Sequence, residues 1–362
     1  MAKNLTYKCP TCGGDLAWNA GTHSFKCKYC DDEFNNEQLE SLGENEIDES
    51  KVEKHRELEG DKAFYTATDG TDSSDLVAYT CSHCGAEIIT NRTTAATVCV
   101  YCQNPIVMSE QVIGDFSPKY VIPFKVEKSK VMDAFKKFAK KPLTPKSFNS
   151  DVVVEKMQGV YVPFWLYSGS AYGAIKGTGE KYNTVLKRGV KYRETSYYDF
   201  ARSGSIDISN VPVDASGKID NDAMDSIEPY DQRELTEFSP AYLAGFLAER
   251  YDEDADKCFE RADLRIKNSL KSSLERSANY DRVNTKSFEA NIDIKSRDYA
   301  LLPSWLLYTK YEDKNYLFAM NGQTGKFIGN LPIDKLKLAV YTALGSVGGF
   351  IAGLLAYFML NG

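Results

Sequence analysis

Between positions 113 and 333 the chain alternates short apolar runs with two stretches of helical period. In "EKSKVMDAFKKFAKK" the apolar residues Val131, Phe135 and Phe138 fall on one face and lysines on the other, which predicts an amphipathic helix that stops before Pro142. "SPAYLAGFLAERYDEDADKCFERADLRIKNSL" predicts a second helix, starting near Ser239 with Pro240 at its first position. "KYVIPFKV", "GVYVPFWLYSGSAYGAIKG", "ALLPSWLLYTKY" and "KNYLFAMNGQTGKFIG" read as strands, the last with "NGQTG" as a hairpin turn. Three runs echo one another: "VIPFKV" at 121–126, "YVPFWLY" at 161–167 and "LLPSWLLY" at 301–308. The last two share Pro163/Trp165/Leu166 and Pro303/Trp305/Leu306. Proline lacks an N–H, so these runs are expected to begin or edge a sheet. A duplicated structural strand is preferred over a ligand-binding aromatic wall. The region 113–333 is therefore predicted as one α+β domain with antiparallel sheet.

The pattern differs on both flanks. Residues 37–75 hold thirteen Asp/Glu against four Lys/Arg and few large apolar residues, the profile of a solvated linker, with a short helix expected around 49–60. At the other end "LAVYTALGSVGGFIAGLLAYFML", 338–360, contains no charged residue. As a helix its length is about 34 Å, enough for a hydrocarbon layer of about 30 Å. A buried core helix would be shorter and show a polar face. Residues 334–362 are thus expected to be a single-pass, C-terminal membrane anchor. Lys335 and Lys337 before it predict that the bulk of the chain lies on the cytoplasmic side. Gly345, Gly349 and Gly353 recur every four positions, a spacing that permits close helix packing with a second copy or a membrane partner.

The cysteines carry the clearest chemistry. Cys9, Cys12, Cys27 and Cys30 form C-x2-C-x14-C-x2-C, and Cys81, Cys84, Cys99 and Cys102 repeat it 72 residues later. Each CxxC turn aims two sulfurs at one point, and the spacer is long enough for a β-hairpin that brings the second turn back. Residues 1–36 and 76–112 are therefore expected to be two small β-hairpin zinc ribbons, each holding one structural Zn2+. A redox CxxC would stand alone beside a βαβ unit, and this pattern does not. Four thiolates leave no open coordination position for catalysis. His23 and His83 are the alternate ligands, and Cys258 reads as an ordinary, partly buried thiol.

Composition narrows the function classes. The chain has 362 residues, 43% hydrophobic and 26% charged, with a net charge of −7. The acidic balance, and ribbons without a basic stripe, disfavour nucleic-acid binding. Eight of nine cysteines in CxxC pairs point to a reducing compartment, and "MAKNLTYKCP" shows no apolar signal-peptide core. Walker, GxGxxG, GxSxG and HExxH patterns do not occur. The carboxylate-rich stretch 214–234 is expected to be a solvated loop. "DEDAD", 252–256, lacks the Gly and Glu that an EF-hand loop needs, with Lys257 and Asp263 at those positions.

"PVDASGKIDNDAMDSIEPYD", "FSPAYLAGFLAERYD" and "PSWLLYTKYEDKNYLFAMNGQTGKFIGNLPIDK" resemble the bacterial membrane-associated zinc-ribbon proteins, often labelled transcription-factor-IIB-type. The resemblance covers most of the chain. It implies a place in envelope-stress systems, beside flotillin-like (SPFH) or phage-shock-protein-A-like partners, and the eight cysteines carry over as zinc ligands. The leading expectation is a non-enzymatic, membrane-tethered adaptor that presents protein-binding domains on the cytoplasmic face. The alternatives are a nucleic-acid-binding regulator acting through residues 1–112 and an enzyme with its site in 113–333.

Overall fold

A computed structural model describes residues 4–5, 7–36, 38–39, 76–81, 87–91, 93–99, 105–108, 112, 117–145, 148, 156–187, 189–312 and 314–361. Apart from 38–39, the acidic stretch, including the helix expected around 49–60, lies outside the described residues. The chain opens with β1 (Asn4–Leu5), β2 (Leu16–Asn19), β3 (Ser24–Cys27) and β4 (Glu33–Phe34). After the acidic stretch come β5 (Leu76–Thr80), β6 (Glu87–Asn91), β7 (Thr94–Val98), β8 (Pro105–Met108) and β9 (Tyr120–Val121). Helix α1 (Lys128–Ala139) precedes β10 (Gln158–Lys187) and β11 (Val190–Asp214). Helix α2 (Asn221–Ile227), β12 (Thr236–Glu237), β13 (Leu247–Glu249) and α3 (Ala255–Ser277) follow. The chain ends with β14 (Arg282–Tyr311), β15 (Lys314–Asn321), β16 (Phe327–Gly329) and α4 (Lys335–Asn361). The result is a mixed α+β fold with mainly antiparallel sheet.

One eleven-stranded sheet dominates the described residues, in the order β1-β8-β7-β13-β10-β14-β15-β16, with β11 attached to β10, β9 to β14 and β12 to β9. Of the N-terminal strands, β1, β7 and β8 are built into the central sheet, while β2-β3-β4 and β5-β6 form two small separate sheets. The strands β10 and β14 pair antiparallel over most of their length, from Gln158↔Leu306 to Glu180↔Arg282. Glycines make the long pairing feasible. A Cβ on Gly169 would stand 2.1 Å from the Asp293 carbonyl oxygen, and one on Gly177 2.3 Å from that of Asn284. Both glycines sit where the register shifts.

The two Pro-x-Trp-Leu runs pair with each other across a local two-fold. Tyr161 faces Pro303, Val162 faces Leu302 and Pro163 faces Leu301. Each central strand first takes a short parallel neighbour, β13 beside Val160 and Tyr161, β9 beside Ala300 and Leu301. Each then takes an antiparallel one, β11 from Phe164 and β15 from Ser304. Both prolines occupy the gap between these two neighbours, so they lie within central strands and not at the sheet edge the sequence predicts. The reason is visible in the carbonyls: Pro163 accepts from Ala215 N–H at 2.9 Å and Pro303 from Gly322 N–H at 2.8 Å. A strand residue's N and C=O point the same way, so each proline nitrogen faces the flank where one neighbour has ended and no ladder bond is required.

Helix α1 matches its pattern, burying Val131, Phe135 and Ala139. Phe135 meets Phe318 edge-on at 5.1 Å, and Phe138 meets Phe327 at 4.9 Å. The second helix begins fifteen residues later than its pattern predicts. Pro240 opens only a single 3-10 turn, Pro240–Leu243. Gly245, at φ +96°, then breaks the turn and releases Leu247–Glu249 into the sheet. Asp254, within "DEDAD", is the true N-cap of α3 and accepts from Lys257 N–H at 2.8 Å. A stripe of Cys258, Ala262, Ile266, Leu270 and Leu274 is buried against the ribbon formed by β10, β11 and β14.

The stretch 214–234 is not a solvated loop. Asp214 is fully buried and paired with Arg261, while Arg265 holds Glu228 and donates to the Pro212 carbonyl at 2.6 Å. Burial pushes both the Asp214 and Glu228 carboxyls above the ordinary range, against the pull of their arginines. The two arginines sit one turn apart on α3. The sequence supplied the acids together but placed their partners some forty residues away.

Candidate metal centre and apolar helix

The first cysteine quartet forms one cluster. Strands β2 and β3 pair with Leu16 opposite Cys27 and Asn19 opposite Ser24. This hairpin brings the turn after Cys27 beside the turn after Cys9. The two turns are built alike. Cys9 N–H donates to the Gly14 carbonyl at 2.7 Å, and Cys27 N–H to that of Asp32 at 2.9 Å. The residue after each second cysteine is left-handed, Gly13 at φ +73° and Asp31 at φ +61°. Gly14 has no room for a side chain, since a Cβ there would stand 2.4 Å from the Tyr29 ring and 3.2 Å from Cys27 Sγ.

The four sulfurs lie within 4.8 Å of one another. Cys9 Sγ is 3.6 Å from Cys30 Sγ, and Cys12 Sγ is 3.4 Å from Cys27 Sγ. Such a set can hold a metal ion. Burial opposes ionisation of Cys27, but the N–H groups of Cys30 and Tyr29 and the adjacent thiols bring it down to about 7. The Tyr29 N–H lies 3.4 Å from this sulfur. Cys9 and Cys27 are buried, while Cys12 is exposed. His23 sits in the hairpin turn at φ 54°, its N–H donating to the Asn19 carbonyl, and the metal-competent group consists of the cysteines alone.

Trp18 fastens this cluster to the central sheet. Its indole N–H donates to the Phe124 carbonyl and its backbone N–H to that of Ala244, both at 3.0 Å. Its ring meets Phe25 and Tyr242 edge-on at 5.0 and 5.1 Å. Nothing in the cysteine spacing announces this contact. Trp18 faces Phe25 across the hairpin, and this cross-strand aromatic pair was the available signal.

Of the second quartet, Cys81 and Cys99 are buried in one cluster with Tyr79, Ile88, Ile106 and Met108. Cys84, Cys102 and His83 lie outside the described residues. Cys258 lies on the buried face of α3, where burial pushes its thiol up to about 12.

Helix α4 presents a different surface. Its span Lys335–Leu354 is long and apolar enough to cross a membrane, and none of it is buried against the body. Leu336, Leu344 and Phe350 are among its exposed side chains. Gly345, Gly349 and Gly353 share one face with open space around each. Lys335 pairs with Glu312 at 3.3 Å, and Lys337 Nζ donates to the Thr144 carbonyl at 2.5 Å, so the start of α4 is tied to the sheet domain.

A mixed α+β body with a four-cysteine, metal-competent cluster and one exposed apolar helix defines the class of this protein. The chain is 31% identical over 360 residues to the uncharacterized protein YdjG of Bacillus subtilis strain 168, covering 99% of each. It belongs to the YdjG family. No family model matches it, and no solved structure matches it.

Proposed function

We propose that this protein is a non-enzymatic, zinc-stabilised adaptor anchored in the cell membrane by α4, with its sheet domain on the cytoplasmic face. The observation that carries the reading is α4 itself, a helix of 27 residues whose apolar span Lys335–Leu354 has no buried residue. Water does not tolerate such a surface, and a bilayer removes it at no structural cost. Zinc is the metal that suits the first quartet. A tetrahedron with zinc–sulfur bonds of about 2.3 Å has sulfur–sulfur edges of about 3.8 Å, close to the observed approaches. Four thiolates saturate that tetrahedron, so the ion would serve structure. The second quartet, with identical spacing, would hold a second Zn2+. The partner class is a flotillin-like (SPFH) or phage-shock-protein-A-like membrane protein of an envelope-stress complex, the association that the sequence resemblance implies.

The test compares the full chain with one truncated after Lys335, each tagged and expressed in bacterial cells. The full chain is expected in the membrane fraction, released by detergent and not by salt, with zinc bound and such a partner co-purifying. The truncated chain is expected in the soluble fraction once a high-salt wash has stripped electrostatic contacts, still carrying zinc, without the partner at the membrane. A truncated chain that resists the salt wash and stays in the membrane fraction until detergent is added would overturn the anchoring role of α4. Retention of the partner at the membrane without the anchor would overturn the adaptor role.

A further inference from the structure

The hairpin joining β10 and β11 outruns everything that supports it. Strand β14 starts at Arg282, opposite Glu180, and α3 ends at Ser277. Beyond that rung the hairpin continues for seven pairs without a third strand, from Lys181↔Ser196 to Lys187↔Val190, with the Asp281 carboxylate at its base accepting from Tyr182 N–H at 2.6 Å. That is a projection of about 20 Å. A bare two-stranded hairpin is marginal in water. Polar residues would be expected on it, yet Leu186 is 66% exposed, Val190 53% and Tyr192 51%. Val190 and Tyr192 share one face, while Leu186 lies on the other beside Lys191. The apolar tip therefore faces outward on both sides of the ribbon.

The charge on this tip is opposite to that of the molecule. Residues 181–193 contain five Lys/Arg and no Asp/Glu, in a chain of net charge −7. Lys181, Lys191 and Arg193 are exposed, and the Arg193 guanidinium lies 4.7 Å from the Tyr182 ring centroid. The nearest acids in the two strands are Glu180, on the last rung shared with β14, and Glu194, opposite Asn183. Further down, Tyr197 is 71% exposed and Tyr198 47%. Aliphatic residues at the extremity, cations around them and tyrosines behind form the sequence of chemistries met on entering an anionic bilayer from water. Nucleic acid would use the cations and tyrosines but leave Leu186 and Val190 without a role.

We propose that this hairpin tip is a second membrane-contact site, docking on an anionic phospholipid surface independently of α4. The two sites are well separated. Lys335, the first residue of α4, pairs with Glu312 just past the end of β14, whereas the tip lies beyond the start of that strand. A strand of 30 residues spans up to about 100 Å. The protein would thereby bridge its anchoring membrane to a distant lipid surface, or lie along the bilayer with both ends attached.

The test holds the full chain in nanodiscs of phosphatidylcholine, which occupy α4 with neutral lipid. These are mixed with vesicles of phosphatidylcholine alone or containing phosphatidylglycerol, and vesicle-bound discs are recovered by flotation. Discs are expected to float with the anionic vesicles only, and less so as salt rises. The pair Lys181→Gln and Lys191→Gln is expected to weaken binding by about fivefold per charge. The pair Leu186→Asp and Val190→Asp, at exposed positions outside the core, is expected to weaken it by at least about tenfold. Absence of flotation with anionic vesicles would overturn the proposal. So would flotation that both variant pairs leave unchanged, or retention of DNA by the wild type with no vesicle binding.

Discussion

The indole N–H groups of Trp165 and Trp305 donate to the carbonyls of Glu253 and Val126, each at 3.0 Å. Both acceptors immediately precede the N-cap of a helix, Asp254 for α3 and Glu127 for α1. Tyr251 lies 5.0 Å from Trp165 and Phe124 5.3 Å from Trp305, again at matching positions. Each tryptophan thus sits on one central strand and fixes the entry to a helix across the local two-fold. The faint Pro-x-Trp-Leu echo in the sequence is the trace of this arrangement.

Equivalent roles predict equivalent costs. Trp165→Phe and Trp305→Phe each leave a carbonyl without its indole donor, a loss of about 1–3 kcal/mol. Urea unfolding should give the two variants midpoint shifts of similar size, nearly additive in the double variant. A shift confined to one of them would refute the equivalence.

On the zinc reading proposed above, removing the metal should release Trp18. Cys12→Ser would take one ligand from the first quartet, leaving the β2–β3 hairpin too small to hold its shape. Trp18 would then leave Phe25 and Tyr242 for water. The expected outcome is lower metal content by elemental analysis together with red-shifted tryptophan emission. Cys258→Ser, remote from the quartet, should keep the metal content of the wild type.

What the sequence made legible was local. Two CxxC turns at fixed spacing announce convergent sulfurs, an uncharged run of 23 residues announces α4, and "NGQTG" announces the turn before β16. What escaped it was decided by distant partners. Pro240 is a sound helix-start signal, yet Gly245 and the vacancy beside β10 draw the following residues into β13. The carboxylates at 214–234 look solvated until Arg261 and Arg265 arrive from α3. The extent of β10 and β14 was hidden because polar residues alternate along the distal half of β14 and glycines interrupt that of β10, so no continuous apolar run marks them.

The buried pair at Asp214 should be asymmetric to mutation. Arg261→Met strands a carboxylate that is fully buried, for a loss of about 3–5 kcal/mol. Asp214→Asn removes the charge instead, and the matching position on β15 is already Asn321, which donates to the Ile227 carbonyl at 3.1 Å. Asp214→Asn should therefore be the milder variant in urea unfolding. The reverse order would show that the ion pair is not what Asp214 requires.

Acid should weaken the corner around Asp231. The Arg233 side chain and backbone N–H hold Asp231 at about 2, against 3.8 for an ordinary aspartate. Burial would raise Glu234, but Lys125 and Gln323 outweigh it and hold it below its usual value. A carboxyl with a depressed folded pKa stabilises the fold above its unfolded pKa and loses that contribution as pH falls through the folded one. For Asp231 the loss runs from 3.8 down to about 2. Asp231→Asn should flatten the profile of stability against pH in that window and lower the plateau above it. A variant whose profile keeps the wild-type slope there would show that Asp231 is not the titrating group.

The glycines of α4 give a test of whether the anchor also assembles. A Cβ added at Gly345, Gly349 or Gly353 would meet nothing within 4 Å, so larger residues fit the isolated helix without strain. In a close pair of helices the same positions would bring backbones together, and a Leu there would force them apart. Gly349→Leu should therefore leave membrane insertion intact while lowering energy transfer between donor- and acceptor-labelled copies in vesicles. Replacing Ala343, outside the glycine stripe, should lower neither. Equal transfer in wild type and Gly349→Leu would restrict α4 to anchoring a single chain.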